Sequence, residues 1–394
     1  MRHGIKAAAL ASAAALLLAG CGSTGGSSSS SSGDGSKVTS EGRSSKWFNQ
    51  EEYDRQLATA GKTPEGPADQ PWLQSIDSPT SDTSKYKKAG PYNLCVSNAG
   101  VGNPWRVVGL NTMQHEAKLH PEIASFNVVD AQSKDEKQIA DVNDLVNSGK
   151  CDALIVSPNT TAALTPAVEQ ACGKIPVIVF DRGVDTDCPV SFVHTAGGYA
   201  FGDAAGKFLV DKVKKGGNIL VLRALPGVDI FETRYVAGQI AMEEGGLNIV
   251  GTEFTNYDAA KTKSIVSDYL QRGPIDGVFL DAGGTAVAAI EAFQDAGVPV
   301  PPITGEDQND FLQAWHDDDL TAIAPTYPAF QWRTAVLAAL QVLKGEPTPK
   351  DWVLPQPVIT QDNVDKYFTP DMPPLFYALC GCQEMPGFPK DWQD

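Results

Sequence analysis

The residues best suited to chemistry in this chain follow short apolar runs. Asn103-Pro104-Trp105-Arg106 comes after one such run, Asp181-Arg182 ends another, and Asp281 and Glu306-Asp307 end or follow two more. Arg234 lies on a segment of helical length, and Tyr257 follows the run after it. These are carboxylates, guanidinium groups, an amide and rigid aromatics. Gathered in one place, they would hold hydroxyl groups by charge-assisted hydrogen bonds and cover apolar ring faces by aromatic packing, which is how a sugar is bound. Arg and Asp side chains also pre-order one another, so few rotamers freeze on binding. Covalent chemistry finds no support. The sequence has no Gly-x-Ser-x-Gly elbow, no Gly-rich loop ending in Lys-Ser or Lys-Thr, no Cys-x-x-Cys and no clustered His. No enzyme, metal or other cofactor is expected.

The elements that must position these residues are strands and helices in alternation. Strands are predicted at Asn93–Asn98, Ser125–Asp130, Ala153–Ser157 and Val177–Asp181, with helices at about 104–119, 135–148 and 160–172 between them. After Ser191–His194 the alternation restarts and runs to a helix at 329–344. Strands alternating with helices give parallel sheets covered on both faces, an α/β fold. The alternating stretch is too long for one compact sheet, so two doubly wound lobes are the natural division. Right-handed crossovers place the loops after each strand along one edge, and ligands bind in the crevice there.

The termini and the charge bound the compartment and the partners. Arg2 and Lys6 precede a short Ala/Leu run that ends in Leu18-Ala19-Gly20-Cys21. The run is too short to span a bilayer and matches the core of a secretory signal. Its end resembles the bacterial lipobox, in which cleavage precedes the Cys and the Cys takes the lipid. Residues 1–20 are thus expected to be removed, with Cys21 as the membrane anchor. Gly22 to Ser36 is a Gly/Ser tether that behaves as flexible coil, with an r.m.s. span of roughly 20 Å. Residues 21–90 read as anchor, tether and a polar, extended lead-in with a short helix around Asn49–Ala60. The chain carries 31 basic and 48 acidic residues, for a net charge of −17. Such an acidic balance argues against nucleic acid and against anionic lipid as a binding surface. Beyond Cys21, six cysteines remain (95, 151, 172, 188, 380 and 382), and an exported chain can pair them. Fifteen pairings are open, Cys172–Cys188 among them.

From about Tyr92 to Phe368 the chain resembles the ribose-binding-protein family of type I periplasmic binding proteins. The resemblance rests on Asn103-Pro104-Trp105, Asp130-Ala131 with Lys137-Gln138, Ile155-Val156-Ser157-Pro158-Asn159, Ile175-Pro176-Val177-Ile178 leading into Phe180-Asp181-Arg182, the 251–258 stretch, Gly305-Glu306-Asp307 and Leu343-Lys344-Gly345-Glu346. Each motif is weak alone; their order and spacing are specific. The resemblance implies two lobes joined by a three-strand hinge: 91–194 with 326–356, and 195–325, with 357–394 as the last crossing and tail. It implies a monomer that captures a sugar or polyol and delivers it to an importer made of an ABC permease and its ATPase. A sensory protein signalling to a membrane receptor would use the same fold. Carried over by position, the ligand contacts are Asn103, Trp105, Asp181, Arg182, Arg234, Tyr257 and Asp307. Three positions depart from the family. Arg106 stands where a second aromatic is expected, Ala282 replaces an Asn with Asp281 beside it, and Thr326 replaces a Gln. Arg106, Asp281 and Thr326 are therefore counted with the candidate site, and they leave the identity of the sugar open.

Structural alternatives stand beside these readings. Trp105 can be a core aromatic, Asp181-Arg182 a structural ion pair, Arg234 a solvent-facing helix residue and Asp307 a helix cap.

Overall fold

The computed structural model describes residues 40–392. The expected signal, Cys21 and the Gly/Ser tether lie outside these residues. Helix α1 (Gln50–Ala60) precedes the alternating region. There the apolar runs become β1 (Tyr92–Asn98), β2 (Ile123–Asp130), β3 (Ala153–Ser157), β4 (Val177–Phe180) and β5 (Ser191–Thr195). Between the first four lie α2 (Pro104–Lys118), α3 (Asp135–Asn147) and α4 (Thr161–Cys172). Next come α5 (Gly198–Lys212), β6 (Asn218–Arg223), α6 (Asp229–Glu244), β7 (Asn248–Phe254), α7 (Ala259–Arg272) and β8 (Gly277–Leu280). They are followed by α8 (Ala286–Asp295), β9 (Ile303–Thr304), α9 (Asn309–Asp318) and β10 (Ala322–Pro325). The chain closes with α10 (Gln331–Lys344), β11 (Asp351–Leu354), β12 (Val358–Ile359) and the short α11 (Val364–Tyr367).

The strands form two six-stranded sheets. One has the order β11-β5-β4-β3-β1-β2 and is parallel throughout. The other has the order β12-β10-β9-β8-β6-β7 and is parallel except for β12, which runs antiparallel to β10. Leu94, Val96, Leu154, Ile155 and Val156 have no exposed surface, as strands covered on both faces require. Each sheet reverses its strand order beside its first strand, which puts a crevice at that edge. The chain passes between the sheets after Thr195, after Pro325 and after Leu354. These crossings are tied together. The Gln356 amide donates to the Thr326 carbonyl at 3.0 Å and accepts from Gly197 N–H at 2.9 Å.

The six cysteines pair as Cys95–Cys151, Cys172–Cys188 and Cys380–Cys382. The described part of the lead-in corrects the expectation of an extended approach. The Tyr53 hydroxyl donates to Asp203 at 2.7 Å and the Gln56 side chain accepts from Tyr199 N–H at 2.8 Å, fixing α1 on α5. Further on, Trp72 joins the core beside α10 under the Arg333 guanidinium, 3.6 Å from its ring centre. Buried aromatics, rather than the average polarity of the segment, decide its packing.

Candidate ligand-binding site

One wall of the crevice is built from the ends of β1 and β4. Asn103 caps α2: its side-chain oxygen accepts from Arg106 N–H at 2.9 Å, and Pro104 at the first helical position supplies the fixed φ of a helix start. The cap sends Arg106 inward, where it is almost fully buried. Its guanidinium donates to Asp181 at 2.5 Å, to Ser157 at 3.1 Å and to Asn98 at 3.3 Å. Asp181 follows β4 in the left-handed region (φ 68°), which Asp tolerates better than most residues. Its other oxygen accepts the Tyr327 hydroxyl at 3.0 Å. Trp105 is both wall and core. Its ring lies 5.3 Å from Tyr327 and 5.6 Å from Trp332, and its indole N–H donates to the Tyr327 carbonyl at 2.7 Å. The core-aromatic alternative is therefore correct for most of its surface.

The opposite wall comes from α6 and the ends of β7 and β9. Arg234 is fully buried because α6 lies close against α5: a Cβ on Gly202 would sit 1.9 Å from the Arg234 carbonyl oxygen. Its guanidinium stacks 4.0 Å from the Phe201 ring centre and 4.9 Å from that of Tyr327. It donates to Glu306 at 2.7 Å and to the Asp281 carbonyl at 2.8 Å. The second Glu306 oxygen accepts Gly283 N–H at 2.9 Å, an approach that only glycine permits, since a Cβ there would lie 2.6 Å from Glu306. Tyr257 follows Asn256, both with positive φ (58° and 57°), a strained pair of the kind that gathers at ligand sites. Tyrosines 257, 327 and 377 all have hydroxyl pKa values pushed up by burial, so they stay neutral. Burial also pulls Arg106 below its ordinary value against the opposing pull of Asp181; a guanidinium nonetheless stays charged.

Between the walls lies a cavity of about 30 Å³, lined by Asn103, Trp105, Arg106, Asp181, Arg182 and Arg234, and by Tyr257, Glu306, Tyr327 and Tyr377 beside Ile230 and Phe231. It adjoins an outer groove of about 460 Å³ that shares Asp181, Arg182, Ile230 and Tyr327 with it and reaches α1 at Glu52, Arg55 and Gln56. Seven residues expected from sequence thus meet at one cavity. Three do not, which corrects the expectation for them. Asp281 points behind the wall, accepting from Ala224 N–H at 2.7 Å and from Arg223 at 3.2 Å. Asp307 points into the C-terminal tail, accepting from Leu379 N–H at 2.8 Å. Thr326 donates to the Pro357 carbonyl at 2.7 Å in the hinge. Burial pushes the carboxyls of Asp281 and Asp307 up to about 7. Glu306, read at a strand end with Asp307 but left out of the contacts carried over by position, and Tyr327, which no reading of the sequence named as a contact, each lie one position from an expected residue. Adjacent strand residues face opposite sides, so a one-residue error exchanges cavity for core. Tyr377 had no local signal.

Two parallel-sheet lobes joined by three crossings, with a buried polar cavity between them, define a two-lobed binding protein of type I. The sequence itself places the chain further. Residues 94–347 match the periplasmic binding protein domain, and the chain belongs to that family. It is 29% identical over 280 residues to the ribose import binding protein of Bacillus subtilis, covering 71% of this chain and 90% of that protein. It is 28% identical over 236 residues to a xylitol-binding protein of Mycolicibacterium smegmatis, covering 58% of this chain and 66% of the relative. A solved ABC transporter solute-binding protein from Thermobispora bispora superposes with a TM-score of 0.65 at 26% identity, over 73% of this chain and 90% of that one. These relatives bind solutes rather than transform them, and this chain is a solute-binding protein of the ABC transporter kind, not an enzyme. Its family is extracytoplasmic.

Proposed function

We propose that this protein captures a sugar or polyol between its lobes and delivers it to an ABC importer while anchored to the membrane through a lipid on Cys21. The observation that carries the reading is the inter-lobe cavity, with Trp105, Arg106, Asp181 and Arg182 on one side and Arg234, Tyr257 and Glu306 on the other. Guanidinium groups, carboxylates and phenols answer hydroxyl donors and acceptors, and the aromatic rings suit apolar ring faces. Among the described residues the Nε–H groups of Arg182 and Arg234 are buried without a protein acceptor, and a ligand oxygen would satisfy them. The sugar and polyol ligands named for the relatives point the same way.

The cavity has room for only one or two waters. A sugar needs several times that, so the lobes must separate for the ligand to enter and close on it afterwards, each lobe supplying part of the contact. The hinge then consists of the three crossings that Gln356 and Thr326 hold together. Calorimetric titration with pentoses, hexoses and polyols tests the reading: at least one should bind with a stoichiometry of one, and binding of none across the set would refute it. Detergent partitioning of Cys21→Ser tests the anchor, with release from the membrane expected and full retention counting against it.

A further inference from the structure

The C-terminal tail lies beyond the family domain, whose match ends at residue 347. It nevertheless reaches the cavity. Tyr377 pairs its backbone antiparallel with Gln308, and its hydroxyl donates to the Gln308 side chain at 3.1 Å. Ala378 N–H donates to the Asp307 carbonyl at 2.8 Å. These bonds seat the Tyr377 ring as one face of the cavity that holds Trp105, Arg106 and Arg234. The tail is fixed on both lobes. On one it holds α9, where Asn309 N–H donates to the Phe376 carbonyl at 2.8 Å. On the other, Phe330 N–H donates to the Leu379 carbonyl at 3.0 Å and Arg333 donates to the Gly381 carbonyl. The Cys380–Cys382 disulfide closes the turn there, and Trp392 stacks on His115 of α2 at 3.9 Å.

We propose that Tyr377 is a specificity-determining residue: the tail carries it into the binding cleft as a wall that limits the size of the ligand. Its phenol ring is part of the lining of a cavity of about 30 Å³. Even after the lobes part and close again, a ring held by backbone bonds to Gln308 and Asp307 travels with the α9 lobe and takes its share of the cleft. The solutes admitted are then pentoses and short linear polyols, with hexopyranoses, inositols and larger sugars rejected by overlap with the ring. The proposal rests on the sugar-binding reading for its ligand class, and on the position of Tyr377 alone for the wall.

The test compares the intact protein with Tyr377→Ala, and with Phe388→Ala as a variant that loosens the tail away from the cavity, where Phe388 packs on Phe376 and Trp392. Affinities are measured for ribose, xylitol, glucose, myo-inositol and maltose. Tyr377→Ala is expected to shift the affinity ratio of the larger over the smaller ligands by tenfold or more, while Phe388→Ala lowers the melting temperature and leaves the ranking in place. A ranking in Tyr377→Ala within twofold of the intact protein overturns the proposal. If the alanine variant does not fold, Tyr377→Val reads the same ratio. Hydrogen–deuterium exchange across residues 103–107 and 181–184, without ligand, decides the wall independently. Faster exchange is expected in Tyr377→Ala and not in Phe388→Ala, and unchanged exchange overturns the wall. If the intact protein binds none of the panel but the exchange accelerates, the sugar reading falls and the wall stands.

Discussion

The pairing of Arg106 with Asp181 lends itself to a double-mutant cycle in the ligand-free protein. The two groups are 2.5 Å apart and almost shut off from solvent. Arg106→Met leaves a buried carboxylate with the hydroxyls of Ser157 and Tyr327 as its remaining side-chain donors among the described residues. Breaking a buried pair from one side costs about 3–5 kcal/mol. Asp181→Asn keeps an acceptor oxygen for the guanidinium and should cost less, about 1–3 kcal/mol. The double variant buries neither charge of this pair, and neutral replacements of buried pairs are often close to harmless. Its loss should therefore fall short of the sum of the single losses by about 2 kcal/mol or more. Thermal melting reads the effect at roughly 2–4 °C per kcal/mol for a domain of 150–250 residues, so Arg106→Met should lower the midpoint by roughly 6–20 °C. If the single effects add in the double variant to within about 0.5 kcal/mol, the two groups are not coupled and the electrostatic account of this wall is wrong.

Asp307→Asn should flatten the dependence of stability on pH. The folded carboxyl titrates near 7, above its unfolded value near 3.8, so its contribution is fully present below pH 4 and is lost as pH rises through 7. The variant should match the native protein near pH 4 and exceed it at pH 8 by up to about 4 kcal/mol, read by urea unfolding; equal stability at pH 8 would refute the assignment. Trp105→Ala should lower both the ligand-free melting temperature and ligand affinity, since its ring is core as well as wall, with a stability loss of about 3–5 kcal/mol. A fall in affinity alone would mean that its packing on Trp332 and Tyr327 contributes nothing. Small-angle scattering should show a smaller radius of gyration with saturating ligand, and an unchanged radius would contradict closure about the three crossings.

The fold was legible because periodicity is local. Alternating apolar runs and helical segments specify parallel sheets, and parallel sheets place their strand ends along one edge. Asn103, Asp181 and Arg182 could therefore be assigned to a crevice from their positions after strands, and a resemblance spread over many motifs sharpened the assignment. The resemblance carried over Asp307 and Thr326 by position, where the cavity takes their neighbours Glu306 and Tyr327. Which neighbour faces the cavity depends on the pleat of the strand end against its partners, and that is a tertiary quantity.

Composition and order alone thus determined the class of fold, the acidic balance of charge, the lack of the enzyme motifs sought and the strand ends that line the cavity. Three-dimensional packing decided the rest. Arg106 became the partner of Asp181 because the cap at Asn103 turns it inward, 75 residues from the carboxylate it meets. The fifteen possible cysteine pairings reduced to one set because only packed strands and loops bring particular sulfurs together. Tyr377 became part of the cavity through a backbone pairing with Gln308, 69 residues away. Interactions at such separations leave no trace in local pattern, since their energy is gained only when the intervening chain has already folded.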